Sequence, residues 1–159
     1  MEVEKGKFNS SGADSIRFLC SFNKNQELRP IEEIASGGEI SRVMLAIKYL
    51  LAKKISLPTI IFDEIDSGVS GEIADRMGTM MREMGKEMQV IAITHLPQIA
   101  SKGLTHFKVY KKDNSDSTLS YIERLDGDHR VRELAVMLSG RVVDEASLRN
   151  AESLLNQSR

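Results

Sequence analysis

The sequence predicts an α/β fold built on a mostly parallel sheet with flanking helices. Three observations carry that prediction. Two short apolar runs, Thr59-Ile60-Ile61-Phe62 and Val90-Ile91-Ala92-Ile93, are rich in β-branched residues and bounded by turn signals, as buried parallel strands are. Between them, apolar residues recur at helical spacing, and the roughly 25–30 residues separating the strand starts suit a β-α-β unit. The chain has 159 residues, 41% of them hydrophobic and 28% charged. That is enough for one domain, covering 1–159, which would bury roughly 70% of its unfolded surface.

Taken in order, Ile16-Arg17-Phe18-Leu19-Cys20 reads as a strand, followed by a polar turn at Asn23-Lys24-Asn25-Gln26. From there Ile40, Val43, Met44, Ile47 and Leu51 mark a helix with one buried face. Pro58 breaks the chain ahead of the first parallel strand. Ile73, Met77, Met80, Met81, Met84 and Met88 share one side of the next helix, as adaptable core packing or as a docking face for another segment. After the second parallel strand, His106-Phe107-Lys108-Val109-Tyr110 and Thr118-Leu119-Ser120-Tyr121-Ile122 flank the turn-rich Asp113-Asn114-Ser115-Asp116, which predicts a hairpin at the sheet edge. Two short helices close the chain. One carries Val131, Leu134, Ala135 and Leu138 and stops at Gly140; the other carries Leu148, Ala151 and Leu155.

Composition excludes several classes. Apolar residues are too plentiful for disorder, and heptads are not sustained. Cys20 is the only cysteine, which excludes a disulfide framework and a Cys-rich zinc site. A balance of 22 basic against 23 acidic residues argues against a strongly basic nucleic-acid surface. Met1-Glu2-Val3-Glu4-Lys5-Gly6 lacks the apolar core of a signal peptide, and no run of about 18 apolar residues exists, so a soluble intracellular protein is expected.

Three local features carry chemistry. Ser36-Gly37-Gly38-Glu39 opens the long helix. Ser36-x-x-Glu39 is a capping box, yet two glycines also strip side chains from a helix tip with partial positive charge, as a phosphate cradle requires. Asp63-Glu64 follows the first parallel strand. These are either solvated loop carboxylates or a site where Asp63 holds Mg²⁺, directly or through water, and Glu64 orients an attacking water. Ile65 at the third loop position rules out an EF-hand. His95 follows the second parallel strand and would share that sheet edge, whereas His106 and His129 have no such placement. Lys108, Lys111, Lys112, Arg130 and Arg132 read as solvated surface charge in preference to a DNA contact.

In combination these features resemble the C-terminal lobe of a P-loop, ABC-type ATPase head. Ser36-Gly37-Gly38-Glu39 looks like the signature motif, Ile60 to Asp63 the Walker B strand, Glu64 the catalytic glutamate and His95 the switch histidine. Asp66-Ser67-Gly68-Val69-Ser70-Gly71 falls where the D-loop belongs. Within that superfamily, these runs and Thr94-His95-Leu96-Pro97-Gln98-Ile99-Ala100 are similar to the RecN family of bacterial DNA-repair proteins, which pair an SMC-like head with a coiled-coil arm. The resemblance implies ATP and Mg²⁺ as cofactors and composite sites between two heads of a homodimer. Ser36, Gly37, Gly38 and Glu39 would meet the γ-phosphate in trans, with Asp66, Ser67 and Gly68 at the same junction. It also implies action on DNA double-strand breaks through the full-length protein, in the bacterial cytoplasm at the nucleoid and away from membranes.

No G-x-x-x-x-G-K-[ST] phosphate loop occurs: Gly6-Lys7 and Gly85-Lys86 lack both the upstream glycine and the following Ser or Thr. The expectation is a segment of a longer protein whose Walker A lobe and arm lie elsewhere, inactive as an ATPase by itself. Two alternatives stay open: a non-catalytic module docking DNA, a protein or another head, and a self-contained metal-dependent hydrolase using Asp63, Glu64, Asp66 and His95.

Overall fold

The computed structural model describes residues 1–159 except 22–23, 53, 55–56, 114–116, 141 and 158–159. The chain divides into two units, Met1–Met44 and Leu45–Arg159.

In the first unit, β1 (Glu2–Asn9) and β2 (Gly12–Arg17) form an antiparallel hairpin. Gly12, at φ 113°, takes a backbone conformation that side-chain-bearing residues avoid and so closes the turn. Arg17 reaches across to Glu2 (3.2 Å) and Glu4 (2.7 Å). The predicted strand through Ile16–Cys20 is split, because the chain changes partner at Phe18. Arg17 ends β2, and β3 (Leu19–Cys20) pairs instead with β4 (Arg29–Pro30). The Phe18 carbonyl accepts from Ile31 N–H (2.9 Å), which starts α1 (Ile31–Ile34). Lys24, Asn25 and Gln26 do form a turn and bend, while Asn23 lies outside the described residues.

Helix α2 (Gly37–Ala52) begins in the first unit and ends in the second. The stripe expected to be buried is not. Ile40, Met44, Ile47 and Leu51 are exposed, whereas Leu45, Tyr49 and Ala52, offset around the helix, join the core of the second unit. Periodicity found the helix, but α2 carries two apolar stripes and the sequence does not say which one meets the sheet.

The predicted β-α-β unit is present: β5 (Thr59–Asp63), α3 (Gly71–Met84), then β6 (Gln89–Ile93), with β5 and β6 parallel in the register Thr59↔Gln89 to Asp63↔Ile93. Ile60 and Phe62 turn into a core with Ala74, Met77, Met81, Met84 and Met88, so the methionine stripe is core packing. Ile73, assigned to that stripe, is exposed. Burial of the strands is one-sided. Ile61, Ile91 and Ile93, which alternation sends to the other face, are 59%, 43% and 53% exposed.

After β6 comes α4 (Pro97–Ala100), a single turn the sequence reading lacked, with Pro97 favouring its start. Strands β7 (His106–Asp113) and β8 (Thr118–Leu125) form the predicted hairpin. Among the described residues it is a separate two-stranded sheet and not an edge of β5–β6. Of the turn predicted at Asp113-Asn114-Ser115-Asp116, Asp113 ends β7 and Asn114, Ser115 and Asp116 lie outside the described residues. Helices α5 (Gly127–Ser139) and α6 (Glu145–Asn156) pack through Leu134, Ala135 and Ala151, all fully buried. Gly140 (φ 79°) ends α5, as its sequence position predicted.

Candidate nucleotide site

The parallel register fixes where the chemistry gathers. Asp63 closes β5 opposite Ile93, the last residue of β6. One further rung follows, the Glu64 N–H donating to the Ile93 carbonyl at 3.1 Å. The acidic loop and the His95 loop therefore leave the same carboxyl edge of the strand pair, where open α/β sheets place their ligands.

Glu64 has φ 46°, the one described non-glycine residue with positive φ. Holding a side-chain-bearing residue there costs about 1–3 kcal/mol, and such strain clusters at functional sites. Neither the Asp63 nor the Glu64 carboxylate takes a hydrogen bond or ion pair from the described residues, and both are exposed. The loop then tightens on itself: Ser67 N–H and Oγ both donate to the Glu64 carbonyl (3.4 and 3.1 Å), and Val69 N–H to the Asp66 carbonyl (3.1 Å). Gly68, at φ 71°, permits that turn.

The turn drives Asp66 inward. Its side chain is 1% exposed, and one oxygen, Oδ2, accepts a short hydrogen bond from Thr94 Oγ1. Thr94 Oγ1 in turn accepts from Leu96 N–H at 3.0 Å. Asp66, which the sequence expects at the nucleotide junction, ties the two loops together through Thr94, while Ser67 and Gly68 are exposed. His95, next to Thr94, is 66% exposed, with Nδ1 3.9 Å from Asp66 Oδ1.

Packing behind His95 holds its loop. Helix α4 lies close against α3 because position 78 is glycine: a Cβ there would come within 3.2 Å of the Gln98 carbonyl and of Ile99 Cα. Lys102 pairs with Asp75 of α3 at 2.8 Å. From α5, Arg130 donates to the carbonyls of Ala100 (3.4 Å), Ser101 (3.0 Å) and Gly103 (2.5 Å), at and just beyond the C-terminal end of α4, where helix carbonyls lack intrahelical donors. The sequence reading placed Arg130 and Lys108 among solvated charges. Arg130 is half-buried on backbone carbonyls, and Lys108 pairs with Glu133. Lys112 stands over the stacked rings of Tyr110 and Tyr121, 5.6 and 5.4 Å from their centres. Nothing local in the sequence pairs Arg130 with carbonyls about 27–30 residues away.

In the first unit, the capping box is formed. Ser36 N–H donates to Glu39 Oε2 (2.8 Å), Ser36 Oγ donates to the same oxygen (2.8 Å), and Glu39 N–H donates to Ser36 Oγ at 3.3 Å. These bonds hold the Glu39 carboxyl below its ordinary range, the Ser36 backbone N–H contributing most. Ser36 and Gly37 are exposed, and a Cβ on Gly37 would meet no atom within 4 Å. The tip is capped, and Gly37 stays open.

As for cations, no group of three or more His, Cys, Asp or Glu side chains among the described residues is placed to hold a metal ion. With Asp66 turned onto Thr94, the four-residue set of a self-contained metal hydrolase is not assembled. A Mg²⁺ shared with nucleotide phosphates needs only one or two carboxylates, and exposed Asp63 fits that demand.

No protein-family model matches the chain. It is homologous to proteins named DNA repair protein RecN: 41% identical over 157 residues to that of Vibrio cholerae and 43% over 157 residues to that of Rickettsia felis, in both cases across 98% of this chain. The chain spans 28% and 29% of the length of those two relatives. Among solved structures it is similar to the Smc head domain with a coiled coil and joint from Pyrococcus yayanosii, with TM-score 0.64 and 22% identity over 78% of this chain and 22% of that one. It is also similar to a chain from a study of ATP-driven dimerization and DNA-stimulated activation of SMC ATPases, with TM-score 0.57 and 23% identity over 74% of this chain and 70% of that one. Its fold is therefore that of part of an SMC-type head. No described helix is long and apolar enough to cross a membrane.

Proposed function

We propose that this chain is the C-terminal part of the ATPase head of a RecN-type DNA-repair protein, supplying one half of a composite ATP site. One observation carries the reading most: in a chain 41% identical to such proteins, Asp63, Glu64 and His95 leave one edge of a parallel strand pair, tied together through Asp66 and Thr94. Asp63 would hold Mg²⁺, directly or through water. The ion supplies charge neutralisation for the phosphates when bound. Glu64, at the strand end with an unengaged carboxylate, orients the attacking water and takes its proton. His95 contacts the terminal phosphate. Ser36, Gly37 and Gly38 offer a helix tip to the γ-phosphate held by a second head, with Glu39 keeping the tip in shape and Ser67 and Gly68 lining the junction.

Phosphoryl transfer rests on positioning and charge, and a Walker A loop supplies much of both. The chain has no such loop and spans 28% of the Vibrio cholerae relative. On this reading the loop belongs to the rest of the protein, and the isolated chain does not turn over ATP. A phosphate-release assay with Mg²⁺ tests this: no turnover from the chain alone, and turnover once the Walker A-bearing segment is added, abolished by Glu64→Gln. Turnover by the chain alone that disappears in Glu64→Gln would refute the division of labour. The exposed Ile61, Ile91 and Ile93 face favours the second reading, a docking module without catalysis, and that reading gives no turnover in either arm.

A further inference from the structure

Asp66 has one oxygen that the fold does not use. Oδ2 holds Thr94, but Oδ1 is buried and has no hydrogen-bond partner. Buried polar atoms are nearly always paired, and an orphan carboxylate oxygen is costly enough to need a reason. The nitrogen facing it is Nδ1 of His95, at 3.9 Å. That exceeds hydrogen-bond reach by under about 1 Å, and His95 is exposed enough to swing through the gap.

We propose that Asp66 is the positioning residue of His95: its Oδ1 accepts the Nδ1 proton of the imidazole and turns Nε2 outward. In the neutral ring Nε2 is then an acceptor, and in the imidazolium it is a donor with Asp66 as counter-charge. Such a carboxylate–imidazole contact selects the tautomer and fixes the ring plane, a role that needs a rigid carboxylate. Asp66 is rigid because the turn at 64–69 buries it and Thr94 anchors its other oxygen. The same side chain thereby couples the acidic loop to the His95 loop. What Nε2 then does for a phosphate rests on the composite-site reading above, but the contact itself does not.

The test is nitrogen-detected NMR on the ¹⁵N-labelled chain at alkaline pH, where imidazoles are neutral. No nucleotide is present, so a failure here is distinguishable from a failure of the ATPase reading. His95 signals are assigned by their loss in His95→Gln, and exposed His129 serves as internal reference. The expected result is His95 mainly in the Nδ1–H form, falling to a minority in Asp66→Ala. His95 mainly in the Nε2–H form, or an Nδ1–H preference that survives Asp66→Ala, would overturn the proposal. Should Asp66→Ala fail to fold, the tautomer of the unmodified chain decides by itself.

Discussion

Gly78 offers a prediction in which two effects of known size oppose each other. An Ala in the interior of a helix is more favourable than Gly by about 1 kcal/mol. At position 78, however, the new Cβ would lie 3.0 Å from Lys102 Cγ and 3.2 Å from both the Gln98 carbonyl oxygen and Ile99 Cα. The Lys102 stem can move aside. The other two atoms are backbone of α4 and yield only if that helix shifts. Overpacking of this kind costs about 1–3 kcal/mol, which exceeds the propensity gain. Gly78→Ala should therefore destabilise the chain by about 1 kcal/mol, equivalent to about 2–4 °C in Tm for a chain of this size. Gly78→Val, with two further methyls in the same gap, should cost more. Paired urea and thermal unfolding of the three proteins measures this. An Ala variant more stable than the parent by about 1 kcal/mol would show that α4 does not sit on α3 as described, and would remove the support beneath the His95 loop.

Other outcomes follow from the same packing. Arg130→Ala strips a side-chain donor from three carbonyls at the end of α4 and should cost about 1.5–3 kcal/mol in urea unfolding; Arg130→Lys, with a point charge in place of a planar fork, should recover part of that. Full recovery by Lys would mean that charge alone matters there. Leu134, fully buried between α5 and α6, should lose about 2–5 kcal/mol as Ala, and a loss under 1 kcal/mol would mean the pair is loosely packed. Burial, then the Arg130 charge and more weakly Lys108, push the His106 imidazole below its ordinary value, with Glu133 opposing. The unfolded chain thus binds the proton more readily, so this contribution is complete above about pH 6.5 and is lost as pH falls through the lower folded value. Stability measured from pH 7.5 downward should fall less steeply in His106→Gln; an identical slope would acquit His106.

The sequence made the strand–helix–strand unit legible because two continuous β-branched runs flanked a 3.6-residue pattern, and parallel register then placed Asp63 and His95 on one edge without further information. The capping box at Ser36 and Glu39 was legible for the same local reason. Hairpin β1–β2 was not, since its strands are polar and held by pairing and Arg17 ion pairs with almost no buried face. The burial of Asp66 was equally hidden. A carboxylate in a glycine-containing turn reads as solvated until the turn direction is known, and that direction depends on the positive φ of Glu64 and on Thr94, 28 residues beyond Asp66. Arg130 and Lys108 escaped because their partners are distant in sequence, a backbone turn and Glu133 of α5. Which stripe of α2 is buried is likewise a tertiary fact.

The composite site is tested most directly by complementation in the full-length protein. Glu64→Gln removes the water-orienting carboxylate, and Gly37→Asp puts a negative charge on the helix tip at an exposed position where a Cβ meets no neighbouring atom within 4 Å. Each variant alone should be inactive in phosphate release. Mixed in equal amounts and allowed to exchange partners, they form heterodimers with one intact site made of Glu64 from one head and Gly37 from the other. The account predicts recovery to about a quarter of the parental rate, since half the dimers are mixed and each has one working site of two. A mixture as inactive as its components would show that the helix tip and the carboxylate do not meet across two heads, and would contradict the account at its centre.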